Sequence, residues 1–223
     1  ECSVTTIGDL AFYNCYESTS IEIPNSVTSI GDQAFSWCYG LTSISVESGN
    51  PMYDSRNNCN AIIETSTNTL IFGSQNTIIP NSVTTIGNWA FAYSNLTSIE
   101  IPNSVTSIGN RAFGCYSLLS IKCHAESVPE TSTTAFSNCP SNMNIQVPEV
   151  SVNLYKSVEP WKNYNVTKMY PYQNGDNVVI DYEGYSLRYT IIKLEPAECE
   201  VICETEPTTE ISITIPSSVE MEG

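Results

Sequence analysis

Apolar and polar residues alternate in short runs, and the runs recur. Ile21-Glu22-Ile23, Ile99-Glu100-Ile101 and Ile121-Lys122-Cys123 each read apolar, polar, apolar, the period of a half-buried strand. A proline at Pro24 and Pro102 ends the run, having no N–H for a ladder. Asn-Ser predicts a turn. Val-x-x-Ile, as at Val27 and Ile30 or Val105 and Ile108, brings the chain back with two more inward side chains. The glycine that follows (Gly8, Gly31, Gly87, Gly109) is expected to supply a positive φ. Ala-Phe then fills the far wall, small beside large.

The full phrase is Leu-x-x-Ile-x-Ile-Pro-x-Ser-Val-x-x-Ile-Gly-x-x-Ala-Phe-x-x-Cys. Its Ile-Pro to Ala-Phe part stands at 23–35, 79–91 and 101–113, with a clipped copy at 3–12. Phe12 to Phe35 and Phe113 to Phe136 are 23 apart, and Ile86 to Ile108 is 22. One such unit cannot bury its apolar groups alone, so neighbours must stack into a solenoid.

The copies depart from the frame in places. Ser18 stands where Leu41 stands one unit later, and Thr131-Ser132 replaces Ile-Gly before Ala135-Phe136. Between Val46 and Ile79 the phrase is missing. Ala61-Ile62-Ile63 and Thr69-Leu70-Ile71-Phe72, joined by a polar turn, predict a hairpin. It reads as a coil lengthened by about ten residues and projecting from one edge of the array.

After Val147-Pro148 the phrase stops. Tyr155-Lys156 and Trp161-Lys162-Asn163-Tyr164 suit an aromatic lid over the last coil, and that place favours a cap role for Trp161 over ligand stacking. Residues 171–223 change character. Strands are predicted at 178–180, 185–194, 198–204 and 210–215, punctuated by Asn174-Gly175, Glu183-Gly184, Pro196 and Pro207, a small antiparallel meander. Cys199 and Cys203 lie too far apart on one regular strand to bond each other. The boundaries expected are 1–170, with a cap at about 148–170, and 171–223.

The phrase resembles the BspA-type leucine-rich repeat family of bacterial surface proteins, over residues 1–170. The resemblance implies a mainly β leucine-rich repeat solenoid, a right-handed curved array with little helix. It implies that the 171–223 meander is the cap of a following array. Ile213-Thr214-Ile215-Pro216-Ser217-Ser218-Val219 repeats the first half of the phrase and Ser3-Val4-Thr5-Thr6-Ile7-Gly8 the second, so the chain reads as cut from something longer. Ile7, Phe12, Ile21 and Ile23 are then expected to lie bare at an uncapped end, inviting head-to-tail self-association.

Composition narrows the partners. The net charge is −16, which argues against nucleic acid and anionic membrane surfaces. Residues 1–170 hold 13 acids and 6 bases, and residues 171–223 hold 11 acids and 2 bases; this uneven charge supports a boundary near 170. No apolar run is long enough to insert in a bilayer. Nine cysteines leave at least one unpaired within the chain. Cys15, Cys38 and Cys139 each follow a repeat phenylalanine by three, the mark of a small buried hydrophobe, although Cys15 and Cys38 fall within disulfide reach.

Candidate chemistry is sparse. His124 is the only histidine, and its neighbour Cys123 should point the other way. Phosphate-loop, dinucleotide, Cys-x-x-Cys and calcium-loop spacings are absent, so neither an enzyme nor a cofactor is expected. Two surface rows remain. The outward positions Glu22, Ser45, Glu100, Lys122 and Gln146 should align as one ladder on the concave sheet, where solenoids bind partners; a solvated hydroxyl-rich face is the plainer reading. Tyr16, Trp37, Tyr39, Tyr93 and Tyr116, with Tyr13, follow the phenylalanines. They suit protein or glycan contacts, or packing between coils, and the sequence leaves both open. The family resemblance implies a non-enzymatic extracellular or cell-surface module that adheres to a host or neighbouring-cell surface or matrix protein. A structural spacer and a carbohydrate-binding accessory module are the alternatives.

Overall fold

The computed structural model describes residues 3–169 and the backbone of residues 177–182, 185–195 and 198–203. The chain divides into two compact units, Glu1–Met169 and Tyr170–Gly223. The first is a β-solenoid of about seven turns.

Each Ile-x-Ile run forms a four-residue strand of the front sheet. Ser20–Ile23 pairs with Ser43–Val46, Ile21 against Ile44 and Ile23 against Val46. Ser98–Ile101, Ser120–Cys123, Asn144–Val147 and Asn165–Lys168 form a second ladder. All these pairings are parallel because every coil re-enters the sheet in the same direction. The Val-x-x-Ile returns make two-residue strands of a rear sheet. Thr6–Ile7 pairs with Ser29–Ile30, and Thr85–Ile86 with Ser107–Ile108, which in turn pairs with Glu130–Thr131.

Between the sheets the phrase's apolar residues vanish from solvent. Ile23, Val27, Val83, Ile86, Phe91, Leu96, Phe113, Leu118 and Ile121 are fully buried. The phenylalanines stack face to face: Phe12 on Phe35 at 5.3 Å and Phe91 on Phe113 at 5.3 Å. Trp161 and Tyr164 close this column edge-on against Phe136, at 4.9 and 5.6 Å. Tyr155 and Trp161 are completely buried, held by Tyr155 Oη donating to the Ala125 carbonyl and Trp161 Nε1 to Thr131 Oγ1.

The hairpin does not project. Ala61–Glu64 and Thr69–Gly73 are antiparallel to each other, and Thr69–Gly73 runs parallel to Thr85–Ile86, so the hairpin continues the rear sheet. Ile62 packs with the apolar cluster of the first coils, which includes Ile7, Phe35 and Ile44. Its neighbour Ile63 packs with the cluster that runs from Cys59 to the cap. Successive strand residues face opposite ways, so this strand is a wall with core on both sides. Three consecutive apolar residues are what such a strand requires.

The glycine expectation also fails. Among the described residues Gly49 is the only glycine at positive φ. The left-handed position falls two residues later, at Leu10, Gln33, Trp89 and Arg111. Gly31 and Gly109 are needed for room: a Cβ on Gly31 would stand 2.4 Å from the Asp9 nitrogen, and one on Gly109 2.8 Å from the Asn88 nitrogen. Each lies against the backbone of the preceding coil.

The first coil is less bare than expected. Ile7 and Ile23 are buried and Ile21 is half-buried. Phe12 is 40% exposed, and Val4, Leu10 and Tyr13 are exposed beside it.

In the second unit Asn177–Tyr182, Tyr185–Glu195 and Glu198–Cys203 form an antiparallel three-stranded sheet, with Val178 opposite Tyr189 and Cys199 opposite Leu194. The strand expected at 210–215 and the half phrase at 213–219 lie outside the described residues.

Candidate functional site

The outward row of the front sheet is two ladders. Glu22 stands opposite Ser45. Separately, Glu100 stands opposite Lys122 and Lys122 opposite Gln146, and the row continues to Thr167. Glu100 faces two nitrogen-bearing side chains, the Lys122 ammonium (Nζ at 3.4 Å) and the His124 imidazole (Nε2 at 3.6 Å). Its side chain is 65% exposed and that of Lys122 only 23%. Glu100 is therefore the more available charge of the pair.

The break between the ladders has two unlike edges. On the Ser43–Val46 side the edge is covered. Asn60 Oδ1 accepts from the Ile44 N–H at 2.6 Å, and Asn60 Nδ2 donates to the Thr42 carbonyl at 2.9 Å. One side-chain amide thus satisfies a donor and an acceptor that another strand would have met. Asn76 Nδ2 adds a second bond to Thr42.

On the other side the Ser98–Ile101 strand is uncovered. The Thr97 and Ile101 carbonyls accept from the Ser120 and His124 N–H groups. This phase turns the N–H and C=O groups of Ser98 and Glu100 toward the break. Among the described residues neither meets a hydrogen-bond partner there.

The coil that belongs in the break is Thr77-Ile78-Ile79-Pro80. It is tied elsewhere: Thr77 Oγ1 donates to the Asn60 carbonyl at 2.6 Å, and the Ile78 N–H to the Cys59 carbonyl at 3.0 Å. Its outward residue, in the slot held by Glu22 and Glu100, is Ile78, 76% exposed. An open groove of about 850 Å³ lies between this stretch and the strand edge, lined by Ile78, Ser98, Glu100, Lys122 and His124 among others. Ser98 was expected only as a hydroxyl flanking the outward row, and Ile78 was missed. An isoleucine at an outward rung was the visible signal.

The second row is a ribbon of rings that touch one another. Tyr13 meets Trp37 at 6.3 Å, Trp37 stacks on Tyr93 at 4.5 Å, and Tyr93 meets Tyr116 at 6.3 Å. Tyr39 packs edge-on to Trp37, and Arg111 lies 4.8 Å over Trp89. Trp37 and Tyr93 therefore spend a ring face on each other and join coils across the hairpin. Tyr16 and Tyr116 are exposed, and Tyr16 stands outside the ribbon.

The repeat cysteines have a polar role. Cys38 Sγ donates to the Phe12 carbonyl at 3.0 Å, Cys115 to Phe91 at 2.6 Å, and Cys139 to Phe113 at 2.9 Å. Each thiol ties its coil to the phenylalanine of the coil before. Burial pushes the Cys38, Cys59, Cys115 and Cys123 thiols up, and that of Cys139 to about 12. A thiol held protonated is a poor nucleophile. Cys15 and Cys38 are both free thiols. Among the described residues no cluster of three or more His, Cys, Asp or Glu is placed to hold a metal ion.

Residues 1–72 and 72–159 match the family model described as the BspA type leucine-rich repeat region, in six copies. No curated protein matches the chain. Three solved structures are similar to it. One is a leucine-rich cell surface protein from Faecalibacterium prausnitzii, with 27% identity over 74% of this chain and 51% of that chain and a TM-score of 0.45. A leucine-rich repeat protein from Eubacterium ventriosum has 23% identity over 74% and 52%, with a TM-score of 0.43. One from Bacteroides ovatus has 25% identity over 66% and 48%, with a TM-score of 0.33. The chain spans about half the length of these solved structures.

Proposed function

The chain belongs to the BspA-type leucine-rich repeat family, and from that premise we propose that it is a non-catalytic recognition module that binds a partner protein on its front sheet. The observation that carries the reading is the Glu100–Lys122–His124 cluster beside the groove at the ladder break. Rigid strands hold charged, hydroxyl and apolar groups there in fixed register, the material of a specific protein contact. The partner class is a surface or matrix protein of a host or neighbouring cell. The working location is the cell exterior, as for the Faecalibacterium prausnitzii cell surface protein it resembles.

The ring contacts weigh against a sugar platform, because Trp37 and Tyr93 cover each other. A spacer role would leave the front sheet without a ligand. The test is surface plasmon resonance of the full chain against a panel of purified extracellular-matrix proteins, alongside a glycan array. A protein hit weakened at least tenfold by Lys122→Ala with Gln146→Ala supports the reading. Sugar hits lost with Tyr16→Ala and Tyr116→Ala, or silence on both arrays, overturn it.

A further inference from the structure

The edge of the Ser98–Ile101 strand is a sheet edge inside the array that the described residues leave uncovered, while Asn60 covers the edge across the same break. Resting on the reading of the front sheet as a protein-binding face, we infer that this edge takes a strand from the partner: a short, extended, basic peptide pairs with Ser98 and Glu100 in the groove.

The backbone argument comes first. Ser98 and Glu100 each present an N–H and a C=O along one line at strand spacing. Another extended backbone matches that alternation and returns every bond. The chain's own stretch for this slot, Thr77-Ile78-Ile79, is held away by Asn60 and Cys59. The vacancy is therefore fixed by hydrogen bonds on its far wall.

The side-chain argument selects the occupant. An outward residue of the added strand falls between Ile78 and Glu100. Lysine or arginine fits both neighbours, with the alkyl stem over Ile78 and the cation at the exposed Glu100 carboxylate. Lys122, mostly covered, already lies on the other side of that carboxylate. The net charge of −16 favours a basic visitor at long range as well. Ile79 and Ile99 are buried at the floor, so inward positions of the peptide take small residues.

The probe is a phage-displayed library of random peptides of about seven residues, selected on the full chain. Enriched sequences are expected to carry Lys or Arg at alternate positions. The best synthetic peptide should slow hydrogen exchange at the Ser98 and Glu100 amides. Its affinity should fall about tenfold with Ser98→Pro, which removes a donor that faces the break, and likewise when its own alternate nitrogens are methylated. Ser98→Pro breaks no ladder bond; if it nonetheless unfolds the chain, the methylated peptide and Glu100→Gln give the same decision. Glu100→Gln should erase the preference for basic peptides.

Four outcomes overturn the inference. Peptides indifferent to Ser98→Pro and to methylation exclude strand pairing. Enrichment of acidic peptides excludes the basic occupant. A folded protein that binds through Lys122 and Gln146, with no peptide enriched, excludes the strand and leaves the front-sheet reading standing. If neither peptide nor protein binds, both fall.

Discussion

The Tyr164 hydroxyl donates to the Phe136 carbonyl at 3.0 Å, and in doing so replaces a cysteine. Along the array a thiol one coil later serves the carbonyl of each of Phe12, Phe91 and Phe113. Phe136 has no further coil after it, and the cap supplies a phenol instead. The cysteine of the phrase is thus an inter-coil donor as well as a filler.

That relationship separates two expectations for Cys139. A filler would tolerate Cys139→Val and suffer from Cys139→Ser. A donor predicts the reverse order, with Cys139→Val costing about 1 kcal/mol for the lost second bond to the Phe113 carbonyl, which keeps the Cys115 N–H, and the serine less. Tyr164→Phe should cost about 1 kcal/mol. Urea unfolding followed by circular dichroism measures all three; valine at least as stable as serine would sink the donor reading.

Alkaline pH should loosen the fold through the same thiol. Burial raises Cys139 from 9.0 to about 12. Between those values the folded chain keeps a proton that the unfolded chain has released. Stability is therefore unaffected below about pH 9 and falls above it, by about 1.4 kcal/mol per pH unit from this group. Tyr164, moved from 10.0 to about 12 chiefly by burial and then by Cys139, adds less because its shift is smaller and begins only at its ordinary value of 10.0. Urea midpoints measured under reductant should be flat to pH 9 and then decline, and Cys139→Ser should flatten the decline. An unchanged slope in that variant would refute the assignment.

The hairpin wall makes a demanding forecast. Ile62→Ala and Ile63→Ala should each cost about 2–5 kcal/mol, as expected for fully buried isoleucines. Ile78→Thr, on the open surface, should change stability by less than about 0.5 kcal/mol. Thermal melts of the three variants decide it; near-neutral alanines would mean the hairpin projects after all.

Glycine substitutions test the close approach of coils. A Cβ on Gly109 meets the Asn88 nitrogen at 2.8 Å, whereas one on Gly8 meets nothing within 4 Å. Gly109→Ala should therefore cost about 1–3 kcal/mol and Gly8→Ala almost nothing. Equal effects in differential scanning calorimetry would return the argument to backbone φ.

The legible part of the fold was whatever period alone determines. Ile21, Ile23, Val27 and Phe35 repeat at one spacing, and a period two strand with a proline stop has few ways to stack. Trp161 was readable as a cap because an array must end. The rest depended on contacts between coils. Period could not reveal that Ile62 and Ile63 face different cores, since both simply read as apolar. Nor could it reveal that Asn60, an ordinary loop residue in sequence, would cover one strand edge and leave another open. The ladder was therefore drawn whole when it is broken, and the ring row was left undecided until Trp37 lay on Tyr93. Gly31 carried a correct signal with the wrong cause, because room and φ both select glycine.

The wall at Ile62 and Ile63 also bears on how the array comes apart and how it grows. Stacked repeats pass stability from neighbour to neighbour, and here the core part of that coupling runs through one hairpin, with the Trp37–Tyr93 stack bridging beside it. Hydrogen exchange should find two cooperative segments in series, with a step in protection at residues 61–73. The hairpin pairs antiparallel within itself and parallel with the next coil, so coils on either side need not keep a common phase. It is a splice: adding or removing one coil on one side should leave the register of the other unchanged.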